Sequence, residues 1–161
     1  MKYLLLPLLL LFTAVSVAAQ GANVAFGTIR QDTGLPVEIT SDNLSVEQAT
    51  DTAIFTGDVL IAQGEMRLMA PRVLVVYRAD AEGIERLEAT GGVTLVSGPD
   101  VAESERADYH IDSGTILMSG NVLLLQGRNA LSSDKMNVNL TDGTAHMTGR
   151  VKTILQTGSE N

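Results

Sequence analysis

The chain has few side chains able to do bond-making chemistry. It has no cysteine, which removes disulfides, thiol nucleophiles and Cys-ligated zinc or iron–sulfur sites. Its two histidines, His110 and His146, lie in distant segments, with no acid or nucleophile in fixed relation to both, so each reads as a surface histidine. No GxSxG elbow, HExxH pair, Walker loop or Rossmann fingerprint occurs. The carboxylates of Asp42, Glu105 and Asp134 do recur at one repeat position, and a ladder of them is the pattern closest to calcium chemistry. Pro71 interrupts it in the second copy and no glycine-aspartate nonapeptide follows, so a turn role is the expectation. Met66, Met69, Met118, Met136 and Met147 are spaced as core filler rather than as a metal box. The composition therefore points to a protein without cofactor, metal or catalytic residue.

The elements that would position these residues form a repeat. Phe55-Thr56-Gly57-Asp58-Val59, Ala89-Thr90-Gly91-Gly92-Val93, Met118-Ser119-Gly120-Asn121-Val122 and Met147-Thr148-Gly149-Arg150-Val151 are versions of one phrase. Their first glycines stand 34, 29 and 29 residues apart. A second element keeps register with the first: Asp42-x-Leu44-x-Val46, Pro71-x-Val73-x-Val75, Glu105-x-Ala107-x-Tyr109 and Asp134-x-Met136-x-Val138. It precedes the next marker glycine by 15, 20, 15 and 15 residues, the longer interval lying within 78–88 as an extended hairpin loop. Asp112-Ser113-Gly114 and Asp142-Gly143 are short-hairpin signals. Fixed-period self-similarity means stacked copies of one supersecondary unit, here two strands and a hairpin.

Along the chain, residues 1–19 have the form of a secretory signal. Lys2 is followed by an apolar run and by Val17-Ala18-Ala19, and the run is shorter than the ~20 residues that span a bilayer. Export to the periplasm is the expectation. Residues 20–36 lack periodicity and read as a loose arm ending at Pro36. The domain is expected over 37–156, with a polar tail at 157–161. No stretch after residue 19 carries a sustained helical period, so the fold class is all-β.

Period-2 parity gives the buried face. Ile39 is inward in the first strand, then the parity shifts at Asp42 so that Leu44 and Val46 follow, which requires a bulge or corner. The same reading places Phe55, Val59, Ile61, Leu68, Val73, Val75, Val93, Leu95, Met118, Val122, Leu124, Met136, Val138, Met147 and Val151 on one apolar lining. The marker glycines fall on the inward parity, and Asn121 and Leu123 face away. Hydrophobic residues make up 45% of the 161 residues and aromatics 4%, so this lining is aliphatic. The formal charge of −8 argues against nucleic acid as a partner.

Pro36 to Asp42, Phe55 to Gly64, Leu68 to Val73 and Gly120-Asn121-Val122 resemble the OstA-like repeats of the LptA family of periplasmic lipopolysaccharide transport proteins. The resemblance covers roughly residues 36–155. It implies a twisted, V-shaped antiparallel β-jellyroll, open-ended, whose apolar lining forms a groove for the acyl chains of lipopolysaccharide. It also implies head-to-tail homo-oligomers bridging inner and outer membrane, with inner-membrane LptC-like and outer-membrane LptD-like jellyroll proteins as partners. Family members carry an acid where this chain has Pro71, which singles out the second corner. The competing reading from the residues alone is a structural or adhesive β-repeat protein with a closed, dry core.

Overall fold

The computed structural model describes residues 21–27, 32–80 and 82–156. The expected signal (1–19) and polar tail (157–161) lie outside the described residues. Among the described residues no helix forms, and eleven strands make one antiparallel sheet. They are β1 (Ala22–Ala25), β2 (Glu38–Thr40), β3 (Asn43–Glu47), β4 (Thr52–Gln63), β5 (Met66–Tyr77), β6 (Ile84–Ser97), β7 (Asp100–His110), β8 (Thr115–Gln126), β9 (Asn129–Asn139), β10 (Thr144–Thr148) and β11 (Lys152–Ile154). From β4 to β9 each strand pairs with its sequence neighbours, the connectivity that short hairpin loops impose.

Every long strand changes register near its middle. The shifts fall between Thr56 and Val59, Met69 and Arg72, Thr90 and Val93, Glu103 and Arg106, and Ser119 and Val122. At the two ends of the sheet the bend breaks the strand outright. There β2 and β3 both pair with β4, and β10 and β11 both pair with β9. A row of aligned bulges folds the sheet into two arms, and a single hydrophobic cluster fills the space between them. The architecture is the expected jellyroll.

The repeat landmarks mark this bend. Gly57, Gly91, Gly120 and Gly149 all have φ between 80° and 94°, and the next residues, Asp58, Gly92, Asn121 and Arg150, also have positive φ. Two consecutive left-handed residues carry the chain round the corner at a conformation glycine adopts most cheaply. The marker glycines do not point into the lining, as their parity had predicted. A Cβ on Gly57, Gly91, Gly120 or Gly149 would run into the side chain of Asp42, Pro71, Glu105 or Asp134 respectively. The two motifs that keep register in sequence are thus partners across the same corner. The acidic position serves this turn, and among the described residues no three His, Asp or Glu side chains are grouped to hold a metal.

Two further expectations are corrected. The stretch 20–36 is not simply a loose arm: Ala22–Ala25 forms a strand on β10, and Phe26 is 2% exposed in the core. Its alternation is only four residues long and alanine-rich, too short to register as a strand pattern. Met69, read as core filler, sits on the outer face, because parity in β5 places Leu68 and Ala70 inward.

Candidate functional site

The inward residues form rows that run across the strands, perpendicular to the chain. In one arm the register links Ile39, Ile61, Leu68, Leu95, Ala102, Leu124, Leu131 and Thr153 through seven successive strand pairings. In the other arm one row links Leu44, Phe55, Val73, Ala89, Ala107, Met118, Met136, Met147 and Ala22. A second links Val46, Ala53, Val75, Leu87, Tyr109, Ile116, Val138, Ala145 and Val24. At ~4.8 Å per strand the first row is about 34 Å long. Facing rows of Val, Leu, Ile, Met and Ala build an apolar interior that continues from one edge of the sheet to the other.

Parity places the expected lining residues as follows. Val59, Ile61, Leu68, Val73, Val75, Val93, Leu95, Met118, Val122, Leu124, Met136, Val138 and Met147 are buried between the arms. Ile39, Phe55 and Val151 are half-buried and packed against the same cluster. Leu44 and Val46 have the inward parity but remain 56% and 63% exposed, because among the described residues no strand lies beyond β3. Asn121 is exposed and Leu123 half-buried, consistent with the outward parity of the strand.

Several interior residues were missed. Alanines at 53, 89, 102, 107 and 145 complete the rows, and an alanine carries too weak a hydropathy signal to be assigned a side without its neighbours. Gln63, Ser97, Asp100, Ser104 and Ser133 are buried polar groups, and the parity continuing from Val59 and Ile61 to Gln63 is the signal that would have found the first. Their burial is explained by hydrogen bonds. The Tyr109 hydroxyl donates to Gln63 Oε1, joining the far end of β7 in one arm to the far end of β4 in the other. Gln63 Nε2 donates in turn to the carbonyls of Thr33 (3.0 Å) and Leu35 (2.9 Å). Asp100 Oδ2 accepts from the Gly27 amide at 2.8 Å and from Gln126 Nε2 at 2.9 Å. These bonds draw the arm tips together on the side opposite the corners. Burial pushes the Tyr109 phenol up to about 12.

The corners close unequally. Asp42 and Asp134 donate their amides to the carbonyls of Gly57 and Gly149 at 2.9 and 2.8 Å. Asn121 Nδ2 donates to Glu105 Oε1 at 2.6 Å, and Arg150 donates to Asp134 at 2.6 Å from Nη2 and at 3.0 Å from Nε. The Arg150 bond holds the exposed Asp134 carboxyl below its ordinary value. In the second repeat Pro71 has no amide to donate and Gly92 has no side chain to close the corner. A cleft of about 400 Å³ lies beside this corner, lined by Val59, Met69, Ala70, Pro71 and Gly92 among others, and one of about 380 Å³ lies beside the Arg150–Asp134 corner, so the clefts do not depend on the missing clasp.

On the outer face, Arg106 bonds Glu88 and Asp108 at 2.9 and 2.6 Å, and Arg86 bonds Glu88 at 2.9 Å. Hydrogen bonds from Arg86, then from Arg106, lower the Glu88 pKa. His110 is exposed, and His146 Nδ1 lies 2.6 Å from Asn23 Oδ1. Nothing in either arrangement resembles a nucleophile and its base.

Comparison with known proteins follows the same geometry. An uncharacterized protein of Rhizobium meliloti is 31% identical over 66% of this chain and 61% of its own length. The lipopolysaccharide export system protein LptA of Haemophilus influenzae is 32% identical over 51% of this chain and 46% of its own. The matched region thus spans less than two thirds of either relative. Among solved structures, LptH of Pseudomonas aeruginosa superposes with a TM-score of 0.68, covering 78% of this chain and 99% of the other at 15% identity. LptH is described as the LptA-homologous periplasmic component of a lipopolysaccharide transport device, and at that identity the likeness establishes the fold. The family described as LptA/(LptD N-terminal domain) LPS transport protein matches residues 38–152, the whole meander from β2 to the start of β11, and the chain belongs to that family.

Proposed function

We propose that the protein is a non-enzymatic periplasmic carrier that shields the acyl chains of lipopolysaccharide between its two arms. It passes them along a bridge of jellyrolls between inner and outer membrane. The observation that carries this reading is the continuity of the apolar rows from Ile39 to Leu131 and from Phe55 to Met147 across the sheet, the first running to the edge strand β11 and the second covered at its end by β1. Each methylene moved from water into such an interior is stabilised by about 0.8 kcal/mol, so transfer needs an apolar path and no reacting group. The sugar and phosphate head remains outside, since among the described residues no Lys or Arg is buried in the interior and the chain carries a net charge of −8. Family membership supports lipopolysaccharide as the ligand; export through residues 1–19 and LptC-like and LptD-like jellyrolls as flanking partners complete the proposal.

A second reading draws on one observation: most of the lining is shut off from solvent, as in the dry core of a structural β-repeat protein. In the transport reading this is the unloaded state, and the arms part at the Tyr109–Gln63 side to admit a chain. Photo-crosslinking residues placed singly at Val93, Leu95, Val122 and Leu124 should label lipopolysaccharide, while those at Asn121 and Leu123 should not. Equal labelling at positions 122 and 123 refutes the interior site. No lipid by mass spectrometry of the purified protein, together with no labelling anywhere, favours the structural reading.

A further inference from the structure

The two ends of the sheet are built alike but finished differently. At the first end the outermost strand is split by a corner into β2, three residues, and β3, five residues. At the last end the outermost strand of the meander is split the same way into β10, five residues, and β11, three residues. The first end is bare: every residue of β3 is exposed, including Leu44 and Val46 on the inward parity. The last end is half covered. β1, which belongs to no repeat, lies antiparallel on the outer edge of β10 and sets Ala22 against Met147 and Val24 against Ala145. Its neighbour Phe26 donates its amide to Gly143 at 3.0 Å and fills the end of the core. Among the described residues no strand lies on the outer edge of β11.

We infer that β1 occupies, within one molecule, the place that β3 of a second copy takes on assembly, and that joining exchanges the one for the other. This rests on the end-to-end reading above and names the strand that must leave. The register of the repeat sets the argument. Where a marker-glycine strand meets the next acidic strand inside the molecule, Met118 faces Met136 and Val122 faces Ser133. Continuing that register into a second copy puts its Leu44 against Met147 and its Val46 against Ala145. Those are the partners that Ala22 and Val24 hold now. On the other side of the corner the incoming Ile39 faces Thr153 and the incoming Thr40 faces Lys152. The exchange replaces a four-residue strand carrying Ala and Val by two pieces of five and three residues carrying Leu, Val and Ile. It also covers the apolar pair that the first end leaves in water, and an antiparallel direction is preserved because β2–β3 and β10–β11 run oppositely. A self-supplied strand of inferior size keeps the edge closed in the isolated molecule and yields to a better one.

The absence of cysteine makes the test clean. In the full chain, Asn23→Cys with His146→Cys joins the outward pair of β1 and β10 in one molecule. Oxidised, this variant should remain monomeric by light scattering at concentrations where the unaltered chain assembles, and reduction should restore assembly. Separately, Ser45→Cys and His146→Cys chains mixed under mild oxidation should give a disulfide-linked dimer. Ser45→Cys linking instead to Asn23→Cys would mean that β1 stays in place and itself forms the joint, which overturns the exchange. Assembly of the locked variant as readily as its reduced form overturns it too. A chain that is monomeric under every condition, with no cross-link of any pair, removes the end-to-end reading and the exchange with it. Circular dichroism of each variant checks that the sheet is intact.

Discussion

Gly120→Ala tests the corner clasp on which both arms depend. Gly120 has φ of 83°, and an added Cβ would lie 2.9 Å from Glu105 Cβ and 2.6 Å from Glu105 Oε2. The carboxylate tip can swing aside, but Glu105 Cβ is fixed to the backbone of β7. The cost has two parts: about 1–2 kcal/mol for a side chain at positive φ, and about 1–3 kcal/mol for forcing atoms into occupied space. The whole is then about 2–5 kcal/mol, a large share of a typical domain's stability. Gly127→Ala is the control. It also has positive φ, 57°, but nothing lies within 4 Å of its added Cβ, so only the conformational part applies. Urea unfolding of the two variants should show a much lower midpoint for Gly120→Ala with unchanged m-values. Equal midpoints would mean that the corner makes no steric demand beyond φ, and the pairing of glycine with acid would then be incidental to the bend.

Tyr109→Phe should cost about 1–2 kcal/mol near neutral pH, because Gln63 Oε1 loses its donor in a buried place. Its pH dependence has a defined sign. With the folded phenol raised to about 12, the unaltered protein keeps this stabilisation below the unfolded value near 10 and loses it as pH rises from there toward 12. Unfolding midpoints at pH 7, 9 and 11 should therefore fall for the unaltered chain and change less for Tyr109→Phe. Glu88 works in the opposite direction: its lowered carboxyl stabilises the fold above the ordinary carboxylate range, and that contribution disappears as pH falls through the folded value. Because its arginine partners are about a third or more exposed, Glu88→Gln should cost only about 0.5 kcal/mol at pH 7. It should also flatten the acid limb of the stability profile as pH falls below the ordinary carboxylate range, which denaturation at several pH values reads directly.

The local pattern determined a good deal. A side chain alternates faces every residue in a strand, so Val122 and Leu124 could be separated from Asn121 and Leu123 by parity alone. A displacement of parity can only be absorbed by a bulge, which made the corner at Asp42 legible before any coordinates. Repetition of the glycine phrase located the other corners, and the resemblance it carried named the family. Three things were decided by tertiary structure. That each marker glycine faces an acid or Pro71 depends on which strands become neighbours, and sequence spacing alone does not say that residues 105 and 120 touch. Gln63, Tyr109 and Asp100 form ties between arms because folding brings distant strand ends together; singly, each is an ordinary polar residue at the end of a strand. Finally, β1 is a strand because β10 offers an unpaired edge. Four residues, Ala-Asn-Val-Ala, have too little propensity or apolar surface to form one alone, so their structure is set by the surface they land on.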